Sequence, residues 1–395
     1  MKVIKEEPMK VPIKSWCDNP EEGCIEQAKH LANLPFIFKQ VCLMPDTHQG
    51  FGMPIGGVIA LQNVVIPNAV GVDIGCGMLA VKTNLTEIST EQIKAVMGKI
   101  REKVPVGFSH QKEEQDRVLM PVIKVEPIQP TPMYSVITRE YKSALKQLGT
   151  LGGGNHFIEI QKGSDGYIWF MIHSGSRNLG KQVADHYNKI AKALNEKWYS
   201  AVPKEWDLAF LPIETEEAKS YMREMQYCLD FAYANRKLMA ERIKESFVEI
   251  IPEFMIFIDE INIHHNYAQY ENHFGKNVII HRKGATSARE GEIGLIPGSM
   301  GSCSYVVKGL GNPESFMSCS HGAGRKMGRK EAIRSLDFET EKKILDDKGI
   351  VHGMRNKEDL DEATGSYKDI DVVMEEQKDL VEILVKLEPL AVIKG

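Results

Sequence analysis

The pattern of hydrophobic and polar positions predicts a chain that mixes many short strands with a few helices. Runs of four to eight apolar residues between turn signals are typical of buried strands. Short, mostly apolar runs of three to six residues, separated by glycines, prolines or polar stretches, lie at 41–44, 56–61, 63–66, 78–82, 167–172, 256–258, 278–281 and 304–307. The pattern therefore predicts a core that is rich in β-structure.

Three segments carry helical signals. Ser89 and Gln92 have the spacing of a capping box, which predicts a helix through about Arg101. Apolar residues recur at helical spacing from Thr215 to about Phe247, and we interpret this stripe as core packing. A third helix is predicted over 328–347. Segments 104–147 and 196–216 contain prolines and mixed charges, so they are predicted to be connecting or inserted segments.

Composition and length narrow the class of protein. The 395 residues are 43% hydrophobic and 26% charged, which is typical of a globular chain with a sizeable core. A net charge of −5 argues against binding nucleic acid through bulk charge alone, although a local basic site stays possible. Seven cysteines in so long a chain do not indicate a disulfide framework. No signal peptide and no apolar stretch of about 18 residues is evident, so we expect a soluble cytoplasmic protein without membrane contact.

Chemically reactive side chains are concentrated in glycine-rich loops, where backbone can approach a ligand closely. These loops are MPDTHQGFGMPIGG (44–57), GVDIGCGM (71–78), LGGGNHFIEI (151–160), IHSGSR (172–177), INIHHNYA (261–268) and SCSHGAGRKMGR (318–329). Because they are scattered from 44 to 326, one compact α/β domain over 1–395 is favoured over a two-domain chain.

Asp73 and Cys76, together with histidines from three other loops, suggest a mixed oxygen, nitrogen and sulfur metal site. Each residue alone is more often structural, as a buried cysteine or a hydrogen-bonded core histidine. In the pair His264–His265, one imidazole can bind metal while the other packs. A carboxylate with imidazoles suits Mn, Fe, Co or Zn, and no CxxC pair indicates a zinc finger.

A second group of residues predicts a phosphate and nucleotide site. IPGSMGSCS (296–304) offers backbone amides and serine hydroxyls, and residues 321–334 are locally basic, with Arg282, Lys283 and Arg289 adding positive charge. The alternative for the basic run is a solvated start of a helix. Neither a P-loop nor the Lys-x-Asp-Gly signature is present, so nucleotidyl transfer needs another nucleophile, such as a histidine nitrogen.

These motifs, in this order from MPDTHQG at 44 to Lys394–Gly395, closely resemble those of the RtcB family of RNA ligases. The resemblance implies an α/β fold with a central β-sandwich-like core surrounded by helices. It implies an enzyme that uses GTP and two Mn²⁺ ions to join an RNA 3′-phosphate or 2′,3′-cyclic phosphate to a 5′-hydroxyl, in tRNA splicing or RNA repair. Some members also need a small activating protein, archease.

The resemblance also assigns roles to individual positions. The implied metal ligands are Asp73, Cys76, His156, His173 and His265. His321 is the implied carrier of GMP, and Asp46 is assigned to orient the 5′-hydroxyl or a metal ligand. The implied GTP-binding positions are Asn155, His156, Phe157, Ile158, Glu159, His265, Asn266, Pro297, Gly298, Ser299, Met300, Ser304, His321, Gly322, Ala323, Gly324, Tyr367 and Lys394. The implied RNA or phosphate contacts are Arg177, Arg325 and Arg329.

Two other functions remain open on the sequence. A metal-dependent cyclic phosphodiesterase would use the metal ligands but would not need His321 or Lys394. A noncatalytic protein that binds RNA ends would tolerate loss of Cys76 or His321. This chain retains both residues.

Overall fold

The computed structural model describes residues 1–122 and 135–395. Among the described residues, most strands belong to two sheets, and the pairs of named strands are antiparallel except that of β2 with β3. The strands are β1 (Lys2–Ile4), β2 (Ile13–Ser15), β3 (Ile37–His48), β4 (Ile55–Leu61), β5 (Val64–Val65), β6 (Gly77–Thr83), β7 (Phe157–Gly163), β8 (Ile168–Ser174), β9 (Leu211–Pro212), β10 (Phe257–His264), β11 (Asn266–His273), β12 (Lys276–Lys283), β13 (Ala285–Ser287), β14 (Ile293–Ile296), β15 (Ser304–Gly309), β16 (Ser318–Ser320) and β17 (Val381–Lys394).

Helices surround these sheets. They are α1 (Glu22–Ala32), α2 (Thr90–Lys103), α3 (Ser135–Gln147), α4 (Arg177–Lys197), α5 (Glu216–Ile250), α6 (Arg329–Ser335), α7 (Phe338–Asp347) and α8 (Ile370–Glu376). Within the described ranges, no helix is both long enough and apolar enough to cross a membrane.

The two large sheets enclose the core. The six-stranded sheet has the order β1-β2-β3-β4-β12-β11, and the seven-stranded sheet has the order β10-β6-β8-β7-β17-β15-β14. Apolar residues of β4 and β12 from the first sheet form one buried cluster with residues of β14 and β15 from the second. On the seven-stranded sheet, residues of α2 and α5 complete another cluster with β6, β7 and β8. This arrangement confirms the predicted α/β fold with a sandwich-like core inside helices.

Most predicted elements are present, and most of them extend beyond the predicted bounds, although β5 is shorter than its predicted run. The capping box at Ser89 and Gln92 is formed in both directions and begins α2. Thr215 caps α5, which extends the predicted helix to Ile250. The predicted strands correspond to β3, β4, β5, β6, β8, β10, β12 and β15.

The predicted bounds or contents of three segments differ from the structure. The single helix over 328–347 is two helices, because Leu336 has extended backbone and Asp337 caps α7 through its side chain. Segment 104–147 contains α3 from Ser135 onward, while its residues 123–134 lie outside the described part of the chain. The first two residues of segment 196–216 still belong to α4.

Candidate metal centre and nucleotide site

The predicted metal ligands lie close together because they occupy the same side of one sheet, at the ends of four neighbouring strands. Cys76 precedes β6, His156 precedes β7, His173 lies near the end of β8, and His265 follows β10. Neighbouring strands run antiparallel in the order β10-β6-β8-β7, so starts and ends alternate along one edge. The register pairs Gly77 with both Ser174 and His264, and Phe157 with His173.

The side chains form a continuous series of close contacts. Asp73 Oδ2 lies 3.2 Å from His156 Nε2, which lies 3.4 Å from Cys76 Sγ. The same sulfur is 3.3 Å from His173 Nε2, and that nitrogen is 3.4 Å from His265 Nε2. The donor atoms of Cys76, His156 and His173 all lie within 4.8 Å of one another.

This donor set fits divalent transition metal ions. It combines one thiol, three imidazole Nε2 atoms and a carboxylate. Imidazole suits Zn, Cu, Fe and Ni, and the carboxylate oxygen also suits Mn. His173 Nδ1 lies 3.1 Å from the carbonyl oxygen of Asn155, an outer contact that fixes a ligand imidazole. The neighbour His264 instead places Nδ1 3.1 Å from Arg236 and 3.2 Å from the oxygen of Gly75, so the two adjacent histidines have different surroundings.

Burial dominates the electrostatics of this cluster. It raises the pKa of the Cys76 thiol well above its usual value, and the Asp73 carboxylate adds to this effect. Burial also holds the pKa of His173 and His265 well below the ordinary imidazole value. The imidazoles of His173 and His265 are therefore neutral near pH 7, with lone pairs available for a cation.

His321 lies at the His265 end of the series. The two rings are 4.8 Å apart. The fully buried Asp46, on β3, has Oδ2 2.6 Å from His321 Nδ1 and accepts the His321 backbone N–H at 3.1 Å. Lys368 secures this part of β3 by donating to the carbonyl oxygens of Pro45 and Thr47, at 3.1 and 2.6 Å.

Gly324 is one position where the loop after His321 requires glycine. Its φ is +73°, and a side chain there would collide with the backbone of Asp46. Arg325 follows Gly324 directly. The close approach of this loop to β3 therefore also fixes the position of Arg325, the first basic residue of the segment 321–334.

A buried carboxylate gathers three of the predicted nucleotide or RNA residues. Glu362 lies 3.0 Å from Arg325 Nη1 and 2.7 Å from Arg329 Nε, and it accepts a hydrogen bond from the Tyr367 hydroxyl. The Arg325 guanidinium lies 5.2 Å from the centre of the Tyr367 ring. Burial tends to raise the pKa of Glu362, but Lys394 and both arginines hold it below the usual value.

Backbone and side-chain contacts connect the remaining predicted nucleotide residues to this region. Lys394 Nζ lies 5.6 Å from the centre of the Phe157 ring. The Gly298 N–H donates to Ser304 Oγ at 3.2 Å, and the Ala323 N–H donates to the Pro297 oxygen at 3.0 Å. Asn266 Nδ2 donates to the backbone carbonyl oxygen of Asp73 at 3.0 Å.

Burial limits what the side chains of four predicted residues can contribute. Ile158 and Met300 are buried within hydrophobic clusters, which leaves only their backbone atoms for a ligand. Arg282 adds no positive surface, because it is fully buried and paired with Glu271. Lys283 is also buried, and it donates to the carbonyl oxygens of Phe51 and Asn68.

Comparison with known proteins decides the family. A sequence model described as tRNA-splicing ligase RtcB matches residues 27–395. The chain belongs to the RtcB family. The chain is 38% identical to the RNA-splicing ligase RtcB of Escherichia coli K12, over 97% of both chains. It is 32% identical to the tRNA-splicing ligase RtcB of Thermococcus kodakarensis, over 98% of this chain and 95% of that one.

Membership in this family supports RNA ligase activity. The similarity to both relatives covers nearly the full length of each protein, so it includes the strands and loops that form the cluster. The candidate metal cluster of Cys76, His156 and His173 is consistent with metal dependence.

Several residues that the sequence did not single out shape the site. They are Thr150, Asn235, Arg236, Glu362 and Lys368. Asn235 and Arg236 lie on a helix whose apolar stripe indicated only core packing. Glu362 lies in an acidic stretch without a recognisable motif, so no local signal marks it.

Proposed function

We propose that this chain is a GTP- and Mn²⁺-dependent RNA ligase. It joins RNA 3′-phosphate or 2′,3′-cyclic phosphate ends to 5′-hydroxyl ends through a GMP–histidine intermediate on His321 and a guanylylated RNA end. The observation that carries the proposal is the 2.6 Å contact between His321 Nδ1 and the buried Asp46 carboxylate, beside the cluster of candidate metal ligands.

When the Nδ1–H of His321 donates a hydrogen bond to Asp46, the lone pair is on Nε2, which is then free to attack phosphorus. In the proposed first step, a bond forms between Nε2 and the α-phosphorus of GTP, and the bond to pyrophosphate breaks. A 2′,3′-cyclic end is opened by water to a 3′-phosphate. The GMP then passes from His321 to the RNA 3′-phosphate, and attack by the 5′-hydroxyl on that phosphate releases GMP. Asp46 is thus proposed to orient the nucleophile and to stabilise positive charge on its ring.

Other residues are proposed to bind and position the reactants. Asp73, Cys76, His156, His173 and His265 would hold two Mn²⁺ ions, which supply Lewis-acid stabilisation of phosphate charge when bound. Arg177, Arg325 and Arg329 would bind phosphate oxygens. Tyr367, Lys394, Glu159 and the loop of Pro297–Ser304 would hold the guanosine nucleotide. We propose the cytoplasm as the location, because a reducing compartment keeps the Cys76 thiol free.

A labelling experiment tests the proposed intermediate. Incubation with α-labelled GTP and Mn²⁺ should leave acid-labile, alkali-stable label on the protein, and His321→Ala should remove it. Asp46→Asn should slow labelling roughly 10- to 100-fold, since it removes the charge that stabilises and orients the ring. The control is His186→Ala, which alters a histidine that packs against Tyr187 on α4.

The outcomes separate the alternatives. Label that survives acid, persists in His321→Ala or forms equally with ATP would contradict the histidine intermediate. Opening of a cyclic phosphate without GTP consumption or sealing would instead indicate a phosphodiesterase. Comparing ligation of cleaved tRNA with that of cleaved rRNA would then identify the preferred RNA.

A further inference from the structure

The half-buried side chain of Lys368 holds the part of β3 that carries Asp46. Its Nζ donates to the carbonyl oxygens of Pro45 and Thr47, at 3.1 and 2.6 Å. The Pro45 carbonyl belongs to the peptide bond that leads into Asp46, and the Thr47 carbonyl lies one residue beyond it. The ammonium therefore fixes the backbone on both sides of Asp46, and the steps proposed above give it no other task.

All three hydrogen-bond donors of the Lys368 ammonium have an acceptor inside the protein. Two acceptors are the carbonyl oxygens of β3, and the third is Cys17 Sγ, 3.6 Å from Nζ. Burial raises the pKa of the Cys17 thiol above its usual value, so this neighbour is a neutral thiol near pH 7. Hydrogen bonds from a charged donor are stronger than neutral ones, and here two of them hold backbone atoms. Lys368 thus acts on β3 and has no donor left for a phosphate.

The backbone of Lys368 holds the segment that follows His321. Its N–H donates to the oxygen of Gly324 at 2.9 Å, and nearby the Lys326 N–H donates to the oxygen of Ser366 at 3.0 Å. The two segments are paired in antiparallel fashion at this point. Lys368 therefore joins the segment after His321 to β3, the first through its backbone and the second through its side chain.

The Asp46 carboxylate depends on the β3 backbone for its orientation. Its Oδ2 accepts the His321 backbone N–H at 3.1 Å and lies 2.6 Å from His321 Nδ1. Its Oδ1 is buried and has no hydrogen-bond partner among the residues that the structure describes. Because no further side chain in those ranges holds the carboxylate, a shift of β3 displaces it relative to the imidazole. A misplacement of about 1 Å can cost about 100-fold in rate.

We propose that Lys368 is a positioning residue for His321. It holds the Asp46 carboxylate against Nδ1 of the imidazole and so directs Nε2 toward the α-phosphorus of GTP. This inference rests on the proposed ligase function. In this role Lys368 acts through Asp46 and not on the nucleotide.

The rate of labelling by α-labelled GTP is the first test. At saturating GTP and Mn²⁺, Lys368→Met should slow labelling by about 10-fold, because the carboxylate loses its fixed position. The GTP concentration that gives half the maximal rate should stay unchanged, since the residue does not bind the nucleotide. The matched control is Lys162→Met, because Lys162 also donates to two carbonyl oxygens, those of Thr86 and Gly166, at the end of β7 away from His156. A raised half-maximal GTP concentration with an unchanged maximal rate would overturn the proposal.

A double-mutant cycle separates action through Asp46 from a general loss of structure. In the Asp46→Asn background, Lys368→Met should slow labelling by less than about twofold, because the group through which it acts is already gone. Two effects that multiply independently would overturn the proposal. If Lys368→Met does not fold, Lys368→Gln takes its place in every measurement, because its amide keeps a hydrogen-bond donor without the charge.

A spectroscopic readout on metal-free protein separates this inference from the ligase function. The proton on His321 Nδ1 should give a downfield NMR resonance that is lost in His321→Ala, because the buried carboxylate holds it in a short hydrogen bond. Lys368→Met should move this resonance upfield as the hydrogen bond to Asp46 lengthens, and Lys162→Met should leave it in place.

The combined results assign each failure to one proposal. If the unaltered protein is not labelled by GTP but the resonance responds as expected, the ligase function fails and the positioning role stands. If the protein is labelled and Lys368→Met leaves the resonance in place, the positioning role is wrong, whatever the rate, and the ligase function stands.

Discussion

At the scale of single residues, Cys76 has a position that no other predicted ligand shares. Its sulfur lies 3.4 Å from His156 Nε2 and 3.3 Å from His173 Nε2, between the Asp73 end and the His265 end of the series. A thiolate there can contact two ions at once. Alanine in its place removes a donor from both proposed metal sites.

We therefore expect Cys76→Ala to lose Mn²⁺ binding together with ligation. Metal content after gel filtration, or titration calorimetry, measures the loss without reference to activity. Cys42→Ala is the control, because Cys42 is also a buried free cysteine but lies within β3, where its sulfur is 3.3 Å from the Glu314 oxygen. Full Mn²⁺ binding in Cys76→Ala would contradict the bridging role.

Glu159 gives a pH prediction at the same scale. Burial raises the pKa of its carboxyl to about 8, although Lys394 and the hydrogen bond from Gln161 oppose the shift. The unfolded chain ionises near the ordinary value of about 4.5, so folding binds a proton between these two values. The stability that this protonation contributes is complete below about pH 4.5 and is lost as the pH rises through about 8.

Glu159→Gln should therefore flatten the dependence of stability on pH in this window. Thermal midpoints of metal-free protein at pH 5, 6.5 and 8 measure the effect. The midpoint of the unaltered protein should fall relative to that of the variant as the pH rises, by up to about 1.4 kcal/mol per pH unit in free energy. Parallel curves would show that Glu159 is already ionised in the folded protein.

Local sequence signals identified most side chains that the site brings together, since they lie in glycine-rich motifs. They could not identify Glu362, Asn235 or Arg236, whose contacts depend on residues far away along the chain. They also overestimated the positive charge near residues 321–334, because the sequence does not show that Arg282 is paired with Glu271 inside the protein.

At the scale of elements, α5 supports the loops that carry the metal ligands. Arg236 donates to the carbonyl oxygens of Gly75 and Ser174, at 3.0 and 2.8 Å. Its neighbour Asn235 accepts from the backbone N–H groups of Gly149 and Thr150 and donates to the oxygen of Gly175 at 3.2 Å. One turn of α5 thus positions the loops next to Cys76, His156 and His173.

We expect Arg236→Lys to weaken Mn²⁺ binding by about 10- to 100-fold, the usual effect of altering a partner behind a metal ligand. Lysine keeps the charge, but a single ammonium cannot replace the separate contacts of Nε with Asn262, of Nη1 with the two carbonyl oxygens and of Nη2 with His264. Titration with Mn²⁺ measures the change, and Lys237→Ala on the adjacent exposed position of α5 is the control. Unchanged Mn²⁺ affinity in Arg236→Lys would mean that the loops hold their geometry without this helix.

Element boundaries show where sequence patterns lose information. The capping box at Ser89 predicted the start of α2 because its signal is local. The break between α6 and α7 depends on Asp337 acting as a second cap, which a continuous polar-apolar pattern conceals. β17 was not predicted, because burial along it follows no regular alternation and the strand is held by its pairing with β7 and β15.

At the scale of the whole molecule, the metal cluster depends on long-range pairing. Its residues come from 73 to 265, and they meet only when β6, β7, β8 and β10 have joined one sheet. An unfolded chain does not hold these donors together. Metal that binds the folded protein alone must therefore stabilise it.

Mn²⁺ should raise the thermal midpoint, and chelation should lower it. At a free Mn²⁺ concentration of 100 times the Kd, the expected stabilisation is about 2.7 kcal/mol for one site, and it grows with the logarithm of concentration. Differential scanning calorimetry across a Mn²⁺ series measures this dependence, with Cys76→Ala as the variant that should not respond. Mg²⁺ should stabilise far less, because the thiol and imidazole donors do not suit it. A midpoint that rises equally in Cys76→Ala would place the stabilising ion elsewhere in the molecule. The stabilisation by Mn²⁺ would then not depend on the cluster at the strand ends.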